Sequence, residues 1–371
     1  MALAELLQGG DGGTATPLPE LFSDLLGDIP GADFIGALIA SALVATLMLT
    51  NAGIVVWGKR KITAAFTDRI AVNRVGPYGL FIIVADAVRL LSKELIVPEG
   101  ADRPAYDPGP LLVVFSALLG FAVIPMGSVA SVKIQIADPE VGLVFVFAIA
   151  SIASVGLVMG GYASNNKYSL IGGLRAVAQN IAYEIPLIVI AASVALYAGS
   201  LQMSEIVAEQ SQALVELGPI GIPAWFGLVN PFAFALFMVA NLAEIGRNPF
   251  DTPEAPTEIV AGYQTEYSSV YFVLVYMGEF IHIFLGAAII TTVFLGGPAA
   301  PVLIGSNPNP LGLGLLWFLL KIWGVFFFTQ WARSAFPRVR IDQLIEIGWK
   351  GLLVLSFVNL FLTAIIVGVI T

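Results

Sequence analysis

The chain has 371 residues, of which 58% are apolar and only 12% charged, with a net charge of −9 and a mean hydropathy of +0.89. A soluble domain carries about a quarter charged residues, so this composition argues against a packed soluble fold and for a polytopic membrane protein. There is no cysteine and one histidine, His282, and neither a G-x-G-x-x-G run nor a phosphate loop occurs. Iron–sulfur clusters need thiolates, so any redox chemistry near this chain is expected to run through another subunit.

Residues 1–30 form an acidic segment with Glu5, Asp11, Glu20, Asp24 and Asp28, and the first basic residue is Lys59. The basic start of a signal peptide is missing, so the first apolar block is expected to stay in the mature chain. Apolar blocks follow at 33–57, 109–130, 141–163, 174–198, 226–245, 268–295, 311–333 and 349–370. Each is near the ~20 residues that a bilayer requires. The pattern predicts an all-α polytopic membrane protein: a single membrane domain over 1–371, about eight transmembrane helices, and amphipathic surface helices in the loops.

Basic residues sort to alternate loops. Lys59, Arg60, Lys61, Arg69, Arg74, Arg89, Lys93 and Arg103 follow the first block, and Lys167 and Arg175 the third. Arg247 follows the fifth, and Arg333, Arg338, Arg340 and Lys350 the seventh, leaving only Lys133 on the other side and Lys321 inside a block. The positive-inside rule makes those four loops cytoplasmic and puts both termini outside, in a multi-pass protein of the cell membrane. The outer face is acidic, with Asp138, Glu140, Glu205, Glu209 and Glu216. A high-salt habitat and simple exclusion of Lys and Arg both account for that.

Two of the loops are more than connectors. The stretch 59–107 is long for a helix connection. Within it Ile62, Ala65, Phe66 and Ile70 share one helical face, which predicts a helix lying along the membrane surface from 59 to 71. After the Gly76-Pro77 turn, Gly79–Glu94 is a second helical candidate, with Asp86 and Arg89 three apart. The stretch 246–266 gathers Arg247, Asp251, Glu254, Glu258 and three prolines, which keep it from being one helix. Carboxylates stand at both membrane edges, Glu244 just before the stretch and Glu266 at its end.

Charges also lie inside the apolar blocks. Glu184 and Glu279 fall in the fourth and sixth, with His282 one turn beyond Glu279. A charge at bilayer depth costs at least ~2.5 kcal/mol, so such residues usually line a cavity or a proton path. An internal hydrogen-bonding pin is the plainer reading, and for His282 a satisfied core histidine. Lys321 reads either as a counter-ion or as a snorkelling side chain.

At Gly161–Leu170, Leu174–Glu184, Asn248–Asp251 with Pro253-Glu254, Gly262-Tyr263, Thr265–Tyr267, Phe336–Leu344 and Trp349-Lys350 the chain resembles the H subunit of respiratory complex I, which is subunit 1 of the mitochondrial enzyme. The resemblance implies a membrane subunit of a proton-translocating quinone oxidoreductase that forms the membrane end of a quinone chamber. It implies soluble iron–sulfur quinone-reducing subunits docked on the cytoplasmic side, antiporter-like and small membrane subunits beside it, the lipid bilayer around it, and no nucleic acid. No cofactor would be bound by this chain; a quinone, menaquinone or ubiquinone, would be the substrate of the complex.

By the same resemblance Lys59, Arg60, Phe66, Arg69, Gly76, Pro77, Asp86, Arg89, Arg247, Pro249, Phe250, Asp251 and Tyr263 would border the chamber. Glu184, Glu244, Glu254, Glu258, Glu266, Glu279 and His282 would mark the proton path. The chain departs from the family at Lys59, where an acidic residue is usual, and near Thr67, Ala71-Val72 and Ile82. Pro256 stands where the acidic loop has its middle glutamate. With the acidic outer face these departures point to an archaeal, haloarchaeal branch, in which the electron donor need not be NADH. Two other readings compete: the membrane subunit of an energy-converting hydrogenase, and a stand-alone cation or proton transporter. The second lacks the internal repeat that many transporters show.

Overall fold

A computed structural model describes residues 16–26, 31–129, 132–217, 220–253, 255–304, 309 and 312–370. Sixteen α-helices run through these described residues: α1 (Leu18–Leu26), α2 (Ala32–Phe66), α3 (Ile82–Leu91), α4 (Arg103–Tyr106), α5 (Pro108–Gly120), α6 (Gly142–Ala150), α7 (Ile152–Ala163) and α8 (Lys167–Ala198) come first. Then follow α9 (Met203–Gln210), α10 (Phe226–Val229), α11 (Pro231–Glu244), α12 (Pro256–Ile259), α13 (Ser269–Phe294), α14 (Gly314–Ala335), α15 (Ile341–Glu346) and α16 (Leu353–Ile370). A π-helical turn, Ile347–Leu352, joins the last two.

Six helical segments are long and apolar enough to cross a membrane: α2, the α6–α7 pair, α8, α13, α14 and the α15–α16 run. The predicted blocks 109–130 and 226–245 are shorter as helices. Helix α5 has 13 residues and α11 has 14. At 1.5 Å per residue each is only about 20 Å long. Helix α5 starts on the Pro108-Gly109-Pro110 run. Helix α11 starts at Pro231, where the Asn230 side chain accepts from Ala233 N and fixes the helix entry.

Helix α13 is the central post. From Phe280 to Phe294 every residue except His282 is buried. Its apolar window is 67% buried, against 22% for α2 and for the α15–α16 run, whose outer faces expose Phe34, Leu38, Phe361 and Ile365. A helix apolar all round belongs inside, and one apolar on its outer face suits lipid. Between such helices packing depends on close backbone approach. Gly156 and Gly160, four apart on α7, provide it: a Cβ on Gly156 would stand 2.8 Å from Gly109 O, and one on Gly160 2.4 Å from the Tyr267 hydroxyl.

The two ends of the bundle differ. One collects the 59–107 loop, the start of α8, the 246–268 loop and residues 336–346; there Val339 N donates to Pro249 O at 2.9 Å and Ser269 Oγ to Lys93 O at 2.8 Å. The other end holds α9 and two small sheets. In one, β1 (Thr16–Pro17) lies parallel to β3 (Val132–Lys133), which pairs antiparallel with β2 (Ser128–Val129). In the other, β5 (Ile220–Pro223) lies antiparallel between β4 (Ala213–Leu217) and β6 (Leu303–Ile304).

The separate surface helix expected over 59–71 is not formed. Helix α2 runs unbroken through Lys59 to Phe66, because nothing between Trp57 and Phe66 interrupts the backbone ladder. The turn comes later, where Thr67 N caps onto Thr63 O and Asp68 takes a φ of 51°, and Ile70 ends 91% exposed outside any helix. The second surface helix is α3, shorter than the predicted Gly79–Glu94 at both ends and without a buried residue.

Candidate functional site

The site begins where α11 ends. Gly246, at φ +67°, turns the chain so that Arg247 folds back into the bundle and is only 7% exposed. Its Nη2 lies 3.0 Å from Glu279 Oε2 on α13. The other carboxylate oxygen, Oε1, accepts from the Tyr263 hydroxyl at 2.8 Å and from Gln264 Nε2 at 2.8 Å. Glu279 is therefore an ion-paired, triply held carboxylate rather than a lone one. The Phe280 ring serves two cations, with the Arg247 guanidinium at 5.0 Å and Lys59 Nζ at 4.8 Å.

Beside this group is a partly open cavity of about 100 Å³. Its wall is mostly apolar, with Val113, Phe147, Leu157 and Leu285 among its residues, and it carries the polar groups Glu244, Glu279, His282, Arg247, Tyr263, Gln179, Asn180 and Asn241. That volume has room for a few water molecules. His282 Nδ1 lies 3.0 Å from Gly278 O, and Nε2 has no partner among the described residues. With Nδ1–H donating to that carbonyl, Nε2 presents a lone pair. Glu244 makes no ion pair among the described residues, and Glu184 on α8 is its electrostatic neighbour. Glu184 itself is not on the cavity wall.

The loop that roofs the cavity is clamped from three sides. Gln179 on α8 donates to Ala243 O at 2.6 Å and to Phe250 O at 2.9 Å, and accepts from Thr252 Oγ1 at 2.7 Å. Tyr183 places its ring against Phe250 and donates to Leu344 O at 2.7 Å. Arg338 pairs with Asp251 at 3.2 Å. Burial pushes the Asp251 carboxyl above the usual range, and Arg338, Arg247 and Arg333 pull it back.

The remaining expected residues lie elsewhere. Asp86 accepts from Arg60 at 2.6 Å and from Arg89 at 3.1 Å, in a partly exposed cluster beside α3. Phe66 is half exposed against Phe327, and Arg69 is exposed. Gly76 has φ +73°, and a Cβ there would stand 2.1 Å from the Phe81 ring, so the Gly76-Pro77 turn requires glycine. Glu258 pairs with Arg175 at 2.5 Å near the surface. Glu266 accepts from Asn166 Nδ2 at 2.5 Å, in a separate surface pocket with Lys167. Glu254 lies outside the described residues. The sequence reading did not single out Gln179, Asn180, Asn241 or Gln264; the available signal was an amide inside an apolar helix or beside a site tyrosine.

Among the described residues no three of His, Asp and Glu converge as a metal site would need. The constellation can hold a polar headgroup at Arg247, Tyr263 and Lys59, and can pass protons along the cavity through Glu279, His282 and Glu244.

The family model described as NADH dehydrogenase matches residues 39–364. A Bacillus cereus protein, named as the H subunit of NADH-quinone oxidoreductase, is 42% identical over 328 residues, covering 87% of this chain and 92% of its own length. A Bacillus thuringiensis protein of the same name matches to the same extent. Matched by the family model over residues 39–364 and by relatives 42% identical over most of both chains, this protein belongs to the NADH dehydrogenase family, together with the H subunits of NADH-quinone oxidoreductases.

Proposed function

We propose that this chain is the membrane subunit of a proton-translocating quinone oxidoreductase, that it forms the membrane end of the quinone chamber, and that it links quinone reduction to proton movement. The observation that carries this reading is the Arg247–Glu279–Tyr263 group set on a mostly apolar cavity whose wall also carries Glu244 and His282. A quinone reduced near Arg247 changes the charge above the pair. As reducing equivalents make the quinone oxygen more negative, Arg247 is drawn towards it and loosens its hold on Glu279, which takes up a proton that then passes by way of His282 to Glu244 and on towards Glu184. In this reading the basic end faces the cytoplasm, both termini face outwards, and iron–sulfur subunits dock on the 59–107 and 246–266 loops. Antiporter-like neighbours take up the signal within the bilayer.

The test is Glu279→Gln in the native complex, with quinone reduction and proton uptake measured in sealed vesicles. The amide offers one acceptor oxygen where the carboxylate has two and leaves Arg247 without its counter-charge, so less complex is expected to assemble, and in what assembles coupled turnover falls by about tenfold or more. A variant with normal turnover and normal protons per quinone would sink the reading.

A further inference from the structure

Helix α13 holds Glu279 and His282 near its middle, so its axial placement sets where both groups sit. Its C-terminal end, at Leu295, lies about 24 Å from Glu279, sixteen residues on at 1.5 Å each. There the last carbonyls of a helix have no partner of their own, and in a bilayer they must find one. The sequence at this point is Leu295-Gly296-Gly297. Gly296 at φ +70° and Gly297 at φ +52° are two successive left-handed residues. They curl the chain so that the carbonyls of Leu295, Gly297 and Ala299 converge on one point.

That point is occupied by the ammonium of Lys321, two turns inside α14. Its Nζ donates to Leu295 O at 2.6 Å, to Gly297 O at 2.9 Å and to Ala299 O at 2.6 Å. An ammonium has three donors, and here three acceptors meet them. The Trp225 ring, 4.4 Å from Nζ, closes the cage. Among the described residues no carboxylate lies within ion-pair distance of Lys321. The charge is balanced instead by the negative end of the α13 dipole. Gln210 completes the grip, donating to Thr292 O at 2.9 Å and accepting from Gly296 N at 2.9 Å.

We propose that Lys321 is a positioning residue: the Leu295, Gly297 and Ala299 carbonyls and the Trp225 ring form a primary-ammonium site whose tethered occupant fixes the far end of α13 and thereby the placement of Glu279 and His282. The effect on coupling rests on the functional reading above; the ammonium site itself does not. From Phe280 to Phe294 every residue of α13 except His282 is buried, and a close-packed helix segment shifts as a body rather than bending to absorb the loss.

Lys321→Ala in the native complex removes a propylammonium's worth of side chain, so n-propylammonium chloride is the probe and tetramethylammonium chloride, which has no N–H donors, is the control. The variant is expected to melt at a lower temperature and to lose coupled turnover by about tenfold, since small misplacements of reacting groups carry such costs. Propylammonium should restore both, and tetramethylammonium neither. Lys321→Met keeps a side chain of similar length but with no charge or N–H donor, and should show the loss without the rescue. The proposal is overturned if Lys321→Ala or Lys321→Met melts and turns over like the parent, or if the two salts act alike. If Lys321→Ala does not assemble, growth with propylammonium must restore assembly, and failure to do so overturns it as well. The melting readout is independent of quinone chemistry. Propylammonium-dependent melting alongside an inert Glu279→Gln would therefore sink the functional reading and leave the ammonium site standing.

Discussion

Two charged clusters occupy the same end of the bundle and look alike on paper. Arg60, Asp86 and Arg89 form one, and Arg247 with Glu279 the other. Their side chains differ in exposure: 35%, 19% and 68% in the first, against 9% and 14% in the second. Exposed pairs are worth about 0–1 kcal/mol, because water competes for both partners. Removing one partner of a buried pair costs about 3–5 kcal/mol, because the other charge is stranded. The first cluster is thus a partly solvated surface of charge, and the second a largely desolvated pair beside the cavity, which is the switch of the proposed function.

The sharpest way to break that comparison is Arg247→Ala. Stranding Glu279 should reduce the amount of assembled complex and lower quinone reductase turnover by about a hundredfold. Native gels and quinone-reduction assays measure the two losses. The double variant Arg247→Leu with Glu279→Leu removes both charges, and assembly should largely return while turnover does not. An active double variant would reduce the pair to a structural pin.

Glu184→Gln has a smaller expected effect. Glu184 lies beside Glu244 but off the cavity wall, so quinone reduction should continue while protons moved per quinone fall by about half. An unchanged ratio would remove Glu184 from the path. The smallest effect belongs to Asp86→Asn, with less than about twofold on turnover. Its residual effect should fade between 0.1 and 1 M salt, as the Debye length shrinks from about 10 to about 3 Å. A salt-insensitive, tenfold loss there would mean that the surface cluster is buried by a partner subunit.

Much of this was readable before any coordinates. Continuous apolar blocks have only one economical fate, and six of the eight became helices that can span a bilayer. The strings at Asn248–Asp251 and Gly262-Tyr263 and the intramembrane Glu279 singled out residues that the structure brings together around Arg247. The reading failed where an outcome depended on context. The pattern at Ile62, Ala65, Phe66 and Ile70 fits a surface helix, but a helix already running from Ala32 continues unless something stops it, and no stop occurs before Thr67. The blocks at 109–130 and 226–245 form helices of only 13 and 14 residues, because Pro108 and Pro231 set where each helix begins.

The amino-acid sequence by itself determined the class of molecule, the alternation of basic and acidic ends, and the absence of any thiolate to hold a cluster, because these depend only on composition and order. Only the tertiary structure decided which charges meet. Glu279 acquires Arg247, Tyr263 and Gln264 from a loop that Gly246 turns inward. Glu258 and Glu266, from the same acidic stretch, are drawn off to Arg175 and Asn166. Lys321, read as a counter-ion or a snorkelling side chain, finds carbonyls instead of a carboxylate. Pairing of this kind depends on a few ångströms of backbone direction at glycines and helix ends, and a linear pattern of residue types does not encode that direction.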